Sequence, residues 1–455
     1  MNTENKRTSQ GIYTARWERA FDKILTPLEE FTQRQSSASL LLILATTAAL
    51  VLANSSFAGW YDAFVHTPLG VNFGQFALEK SLKHWVNDGL MAIFFFVIGL
   101  ELKREFLVGE LSSPENARLP IVAAIGGMVV PALVYSWFNY QGMGAKGWGI
   151  PMATDIAFAI GILILLGDKI PKALLTFLIA LAIVDDLGAV MVIAIFYTET
   201  ISIEAMSIAS AIFLFMLMLK HGGIRQPWPY MIAAGFLWLA LLKSGVHATL
   251  AGILGALTVP VRPKYNTEKF SAHVKSLIAR FEETTRKNTN VLTNAEARGM
   301  LQTLENGVIS VQAPLQRLEH TWHFPVAYLI LPLFAFVNAG IAIQPSALGG
   351  AFSDPVTGGI IFGLVLGKLI GVAGFSFVAV QAGFAPYPTG TRLLHIVGVA
   401  FLSGIGFTMS IFISELAFAA HPDLLMSAKL GILMASAMAA AIGVLILKGL
   451  AAKSA

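Results

Sequence analysis

The stretch LTFLIALAIVDDLGAVMVIAIF, residues 175–196, decides the fold. It is apolar over the ~20 residues that a helix needs to cross hydrocarbon. Yet two adjacent carboxylates, Asp185 and Asp186, stand in its middle. An ionised side chain at the bilayer centre costs at least ~2.5 kcal/mol, so acids at that depth call for a function rather than for packing. Successive residues on a helix point ~100° apart. The two acids therefore cannot share one target: one faces a watery cavity while the other reaches a neighbouring helix.

Outward from that stretch, the composition agrees. Of 455 residues 56% are hydrophobic and only 13% charged, with a mean hydropathy of +0.69, against roughly 25% charged in a soluble domain. There are no cysteines, which excludes disulfides and thiolate metal sites. The net charge of +4 reads as membrane topology rather than nucleic-acid binding. Apolar stretches fall at 39–57, 85–107, 118–138, 148–167, 173–197, 203–220, 228–243, 245–260, 322–343, 356–380, 392–418 and 426–449. The expectation is an all-α integral membrane protein of about twelve spans with both termini on one side.

Lysine and arginine choose that side. A cytoplasmic N-terminus gathers Lys6, Arg7, Arg16, Arg19, Lys23 and Arg34 with Lys103, Arg104, Arg118, Lys169, the 262–320 loop and Lys448. The other face keeps Lys80, Lys83, Lys146, Lys243 and Lys429. The positive-inside rule sets both termini in the cytoplasm. The chain then divides into a cytoplasmic N-terminal segment (1–38), a transmembrane domain (39–450) and a tail (451–455), and the first apolar span acts as an uncleaved anchor. Two polar excursions interrupt the spans. VHTPLGVNFGQF, with Pro68 and Gly70 between apolar runs, reads as a small β-hairpin on the outer face. In 262–320, Val274, Leu277, Ile278 and Phe281 recur at helical spacing, and a second helix starts at Thr293 with Glu296 completing a capping box.

Two further intramembrane charges need reasons. Asp155 stands in GWGIPMATDIAFAIGI (147–162) and Lys368 in IIFGLVLGKLIGVAGF (360–375). The first of these spans is rich in Gly, Pro and Thr. So is LLHIVGVAFLSGIGFTMSIFISEL (393–416), with Gly404, Gly406 and Thr408. Broken helices expose free peptide groups and are tolerated where they line a cavity. Asp155 suits half-helix N-termini; Lys368 suits C-termini or one of the aspartates. Segments 118–197 and 356–449 each hold three spans with a broken middle one, and they enter the membrane from opposite faces. Two inverted three-helix repeats around a midplane site follow, the plan of a secondary transporter rather than an enzyme. A hard monovalent cation and a proton then compete for one buried acid. Two other readings compete: an intramembrane aspartyl protease built on Asp155 and Asp186, and a proton-independent cation channel, for which no carbonyl filter or charged ring is visible.

At these residues the chain resembles the NhaA-type sodium/proton antiporters, a family already known for inverted repeats. The resemblance rests on IGLELKRE, GGMVVPALVY, IPMATDIAFAIGIL, ALAIVDDLGAV, LKSGVHATLAG, YLILPLFAFVNAG, LGKLIGV and GIGFTMSIFI, in order from about residue 98 to 413. It implies a bacterial inner-membrane protein that extrudes Na+ or Li+ against external H+, electrogenic and active at alkaline pH, serving sodium and pH homeostasis with no cofactor. It implies Asp186 as chief ligand of the transported metal ion and proton carrier, with Asp185 its neighbour. Thr154 and Asp155 would sit at the crossing of the broken helices. Lys368 would pair with Asp185 or compensate helix ends. Glu101, Glu105, His247 and Glu319 would form a cytoplasmic pH-sensing region, and the hairpin, 64–78, would join a homodimer. Two departures stand out: the 262–320 loop is longer than the family leads one to expect, and Glu415 adds a carboxylate that reads as solvated near the outer interface.

Overall fold

The computed structural model describes residues 35–73, 76–167, 170–198, 201–263, 267–287, 293–342 and 354–453. The N-terminal basic residues through Arg34, and Lys169, lie outside the described residues.

Every apolar stretch read above carries helix. In order these are α1 (Gln35–Ala53), α2 (Ala58–Val65), α3 (Leu82–Leu107), α4 (Pro114–Phe138), α5 (Ile156–Leu165), α6 (Lys172–Phe196), α7 (Ile203–His221), α8 (Pro227–Leu242) and α9 (Leu250–Thr258). Then follow α10 (Thr267–Lys287), α11 (Ala295–Val311), α12 (Pro314–Asn338), α13 (Pro355–Gln381), α14 (Leu393–Ser403), α15 (Phe407–Ala417) and α16 (Pro422–Lys453). Local chemistry sets several starts. Ser113 caps α4 and Asp354 caps α13, accepting from Asn116 N at 3.4 Å and Thr357 N at 3.0 Å. Both are followed by proline, whose missing N–H costs nothing at a first helical position.

Among the described residues eight helical segments are long and apolar enough to cross a membrane, or ten if each of two bent pairs is one span. The pairs are α1 with α2, bent by 119°, and α14 with α15, bent by 46°. The 245–260 stretch departs from its expected length: α9 has only 9 helical residues, because Ser244 to Thr249 run through turns. Large aliphatic side chains on helix flanks are exposed, Leu133, Ile195, Leu214 and Leu445 among them. In water such a surface would drive aggregation; against lipid it is the expected face.

The hairpin exists, but its turn is displaced. Strands β1 (Pro68–Phe73) and β2 (Phe76–Ser81) pair antiparallel from Pro68↔Ser81 to Phe73↔Phe76. Pro68 and Gly70 therefore belong to a strand, with Pro68 at its first position, where a missing N–H is tolerated. The turn itself, residues 74–75, lies outside the described residues. The long loop folds into α10 and α11. Asn294 rather than Thr293 caps α11, accepting from Ala297 N at 3.1 Å.

Helix α3 fixes the two ends of the molecule. Its 26 residues span ~39 Å at 1.5 Å per residue. Lys83 and the hairpin stand at one end, Arg104 and Glu105 at the other.

Candidate functional site

The site is built where two helices break. The chain runs through a 3-10 segment, Met143–Met152, then extends at Ala153 to Asp155 before α5 begins. The α14–α15 break passes beside it: Asp155 N donates to Ile405 O at 2.6 Å, and Thr154 Oγ1 lies 2.8 Å from Ser403 O. Two interrupted backbones thus satisfy one another, which is how non-helical chain survives at membrane depth.

Asp155 serves the N-termini of both half-helices. Its Oδ1 accepts from Phe158 N at 3.0 Å, in the first turn of α5, and its Oδ2 accepts from Thr408 N at 3.0 Å and Thr408 Oγ1 at 2.5 Å, in the first turn of α15. Helix N-termini carry about half a positive charge each, so the two together offset one carboxylate. Asp155 thus stands where the two half-helix N-termini meet. This also disfavours the protease reading, since Asp155 is committed to two helix N-termini and Thr408 rather than free to form a dyad with Asp186.

The neighbouring aspartates diverge. Asp185 Oδ2 is ion-paired with Lys368 Nζ and lies 2.8 Å from Thr154 Oγ1, which in turn accepts from Lys368 Nζ at 3.0 Å. Both charged side chains are fully buried. Thr154 has one hydroxyl proton and two acceptors at equal distance, Asp185 Oδ2 and Ser403 O. It can therefore favour the carboxylate or the end of α14, but not both. Lys368 pairs with Asp185 rather than capping a helix end. The backbone beside it widens to π-helical turns over Gly363–Gly367 and Leu369–Gly374, a winding frequent at functional positions. Asp185 Oδ1 has no hydrogen-bond partner among the described residues. It faces Gly127, where an added Cβ would sit 3.8 Å from this oxygen and 3.7 Å from Lys368 Nζ. The Gly126–Gly127 pair lets the α4 backbone pass against Gly371 of α13, and a side chain there would collide with backbone.

Asp186 is different. It is buried, its Oδ1 has no hydrogen-bond partner among the described residues, and it borders a cavity of about 310 Å3. Asp155 and Thr408 line the inner end of that cavity; Glu101, Arg104, Glu319 and His323 line it toward the Arg104 end of α3. Among the described residues no three acidic or histidine side chains converge on a common metal position. An ion that must leave again needs binding weak enough for release.

Three of the four residues expected to sense pH gather at that end. Arg104 bridges Glu105 at 2.9 Å and Glu319 at 2.8 Å, and Glu101 lies 3.9 Å from His323 Nδ1. His247 does not join them. It lies toward the opposite end of α3, its Nε2 4.0 Å from Asp88 Oδ1 and its Nδ1 2.8 Å from Thr249 Oγ1. The GVHATL turn precedes α9, and α9 runs alongside α3 in the same direction, with Gly252 against Ala92 and Leu257 O 2.7 Å from Lys103 Nζ, so its start belongs to the hairpin end. Arg104 and His323 escaped sequence reading because their significance is only spatial. Glu415 was misread: its side chain is 11% exposed and lies between Lys83 at 2.8 Å and Lys429 at 2.6 Å.

The family model described as Na+/H+ antiporter 1 matches residues 29–447. The chain is 51% identical over 430 residues to "Na(+)/H(+) antiporter NhaA 1" of Saccharophagus degradans, covering 94% of this chain and 93% of that one. It is 47% identical over 437 residues to "Na(+)/H(+) antiporter NhaA" of Sulfurimonas denitrificans, covering 96% and 98%. With the protein of that name from Acidithiobacillus ferrooxidans it shares 48% over 426 residues, covering 93% and 97%.

Proposed function

We infer the working cycle from one premise: this chain belongs to the NhaA family of Na+/H+ antiporters, membrane transporters rather than enzymes. We propose that it extrudes Na+ or Li+ in exchange for external H+ across the bacterial inner membrane, with both termini cytoplasmic. About twelve spans, arranged as two inverted repeats around the crossed breaks, carry the exchange.

A single contrast carries the reading. Asp185 has Lys368, and Asp155 has two helix N-termini and Thr408, but Asp186 has no donor or counter-charge on Oδ1 and borders the cavity. A buried carboxylate without a counter-charge is costly, and only a small cation or a proton can enter to neutralise it. Each excludes the other, since both use the same lone pairs. That exclusion is the exchange rule: the acid crosses the midplane carrying Na+ one way and H+ the other. Two acids and one ammonium within a few contacts leave room for more than one proton per cation, hence electrogenic exchange. Asp185 acts through its pairing with Lys368, and Thr154 adjusts that pairing by redirecting one hydroxyl proton.

The cavity leads from Asp186 to Glu101, Arg104, Glu319 and His323. We assign this mouth to the cytoplasmic side and the conformation to the inward-facing state. Activation at alkaline pH then acts on the entrance, where Glu101, Glu105, Arg104 and Glu319 meet, and serves sodium and pH homeostasis. The hairpin, at the opposite end, joins two copies in a dimer. Proton movement driven by sodium in sealed proteoliposomes tests the reading. Asp186→Asn should abolish it, and undiminished exchange in that variant would refute the assignment.

A further inference from the structure

The opposite end of the molecule holds a charge cluster that the exchange rule does not use. Glu415 Oε2 meets Lys83 Nζ at 2.8 Å, and its Oε1 meets Lys429 Nζ at 2.6 Å. Lys429 Nζ also donates to Asn338 O at 2.9 Å, the last residue of α12, and the Asn338 side chain exchanges hydrogen bonds with Asn87 of α3. Four helices, α3, α12, α15 and α16, are thus pinned through one carboxylate and its neighbours. No residue from Leu82 to Leu90 is among those that line the Asp186 cavity, so the cluster lies on the closed side of the site.

We propose that Glu415, held between Lys83 and Lys429, is the outer gate of the exchange cycle: it seals the hairpin-side route in this conformation and must release for cation exit. The proposal rests on the inward-facing reading of the cavity given above.

The helix that carries Glu415 supplies the mechanical link. Thr408, in the first turn of α15, holds Asp155 at the site through both its N–H and its hydroxyl. Glu415 follows seven residues later on the same helix, a rigid arm of ~10 Å. A tilt of α15 prompted by the occupant of Asp186 therefore moves Glu415 directly, with no intervening element.

The energetics favour a latch over a permanent staple. A buried pair that breaks normally strands a charge, at ~3–5 kcal/mol. Here neither lysine is stranded. Lys429 keeps the Asn338 carbonyl, and the Lys83 side chain is already 21% exposed. Glu415 itself, once the outer route opens, meets water. Closure holds two lysines on one carboxylate; opening gives each group another partner. An exposed pair would contribute little and a fully dry one could not open, and this cluster lies between.

The chain has no cysteine, so a single reporter thiol can be read without background. Ser414→Cys replaces a fully buried hydroxyl bonded only within its own helix, to Ile411 O at 2.7 Å. In proteoliposomes of known orientation, a membrane-impermeant maleimide added outside should label this thiol slowly in the parent. With Glu415→Gln, or with Lys83→Gln, labelling should quicken at least about tenfold as the outward-open population rises. Lys83→Arg, which keeps the cation facing Glu415, should label near the parent rate. In the two glutamine variants the apparent sodium affinity should tighten from outside and weaken from inside, whereas a merely structural role lowers the maximal rate alone. Labelling at the parent rate in both glutamine variants overturns the proposal, and so does a Lys83→Arg variant that labels as fast as Lys83→Gln. Labelling needs no transport, so these results stand apart from any failure of the Asp186 assignment.

Discussion

Lys368→Ala should cost stability as well as function, and by an amount that the geometry sets. Lys368 Nζ is fully buried and has two partners, Asp185 Oδ2 and Thr154 Oγ1. Asp185 Oδ1 already lacks a donor and abuts Gly127. Removing the ammonium leaves that carboxylate with the Thr154 hydroxyl alone, whose single proton Ser403 O also attracts. Breaking a buried pair in this way costs ~3–5 kcal/mol. In a chain of this size that is a fall in melting temperature on the order of 3–5 °C. The 8 tryptophans allow melting to be followed in detergent by intrinsic fluorescence. Lys368→Arg, which keeps the charge, should lose less. The sharper test is the double variant with Asp185→Asn, because it removes the stranded charge along with its partner. The two losses should then fall short of additivity by at least ~1 kcal/mol, the coupling that residues in contact show. An unchanged melting temperature in Lys368→Ala, or strictly additive losses, would refute the pairing as the reason Lys368 is there.

Asp186→Asn should insert and melt within about 1 kcal/mol of the parent, since Oδ1 makes no hydrogen bond to lose; fluorescence melting beside a sodium-driven proton assay checks both halves. Asp185→Asn should damage exchange nearly as much, and a variant that exchanges normally would exclude it from the mechanism. Replacing residues 268–312 with a flexible linker should preserve exchange measured in everted vesicles, because α10 and α11 contribute no side chain to the Asp186 cavity; loss of transport in a correctly inserted deletion would make the loop structural. Glu319→Gln removes a charge that pairs with Arg104 at the cavity mouth, so its rate–pH profile should shift while the maximal rate at the new optimum stays within about twofold, an effect below ~0.5 kcal/mol.

Much of this architecture is legible in the sequence because hydrocarbon leaves few options. Apolar length marks spans, and a charge inside a span marks a site; Asp155, Asp185, Asp186 and Lys368 stand out for that reason alone. The two breaks were legible as Gly- and Thr-rich interruptions, and their meeting at Ile405 and Ser403 follows from the need to satisfy free backbone groups. What escaped depends on distance along the chain. Nothing local to Glu415 reveals that Lys83 and Lys429 close on it, since those partners lie hundreds of residues away or across a turn. His247 carries the right titration chemistry for a sensor, but side-chain chemistry does not say at which end of a bundle a residue will stand. The hairpin turn was misplaced because Pro68 and Gly70 are turn formers by habit, and strand pairing overrode that preference. Thr293 lost the cap to Asn294, the stronger capping residue of the adjacent pair.

Competition at Asp186 is the central claim, and sodium affinity against pH tests it most directly. The measurement uses proteoliposomes with pH clamped equal on both sides, so that no gradient drives the exchange. If one acid serves both ions, each unit of acidification below its working range weakens apparent sodium affinity about tenfold per competing proton, the equivalent of ~1.36 kcal/mol. Maximal turnover at saturating sodium should change far less until the cavity mouth responds to acid. A sodium affinity constant through the active pH range would contradict the shared site.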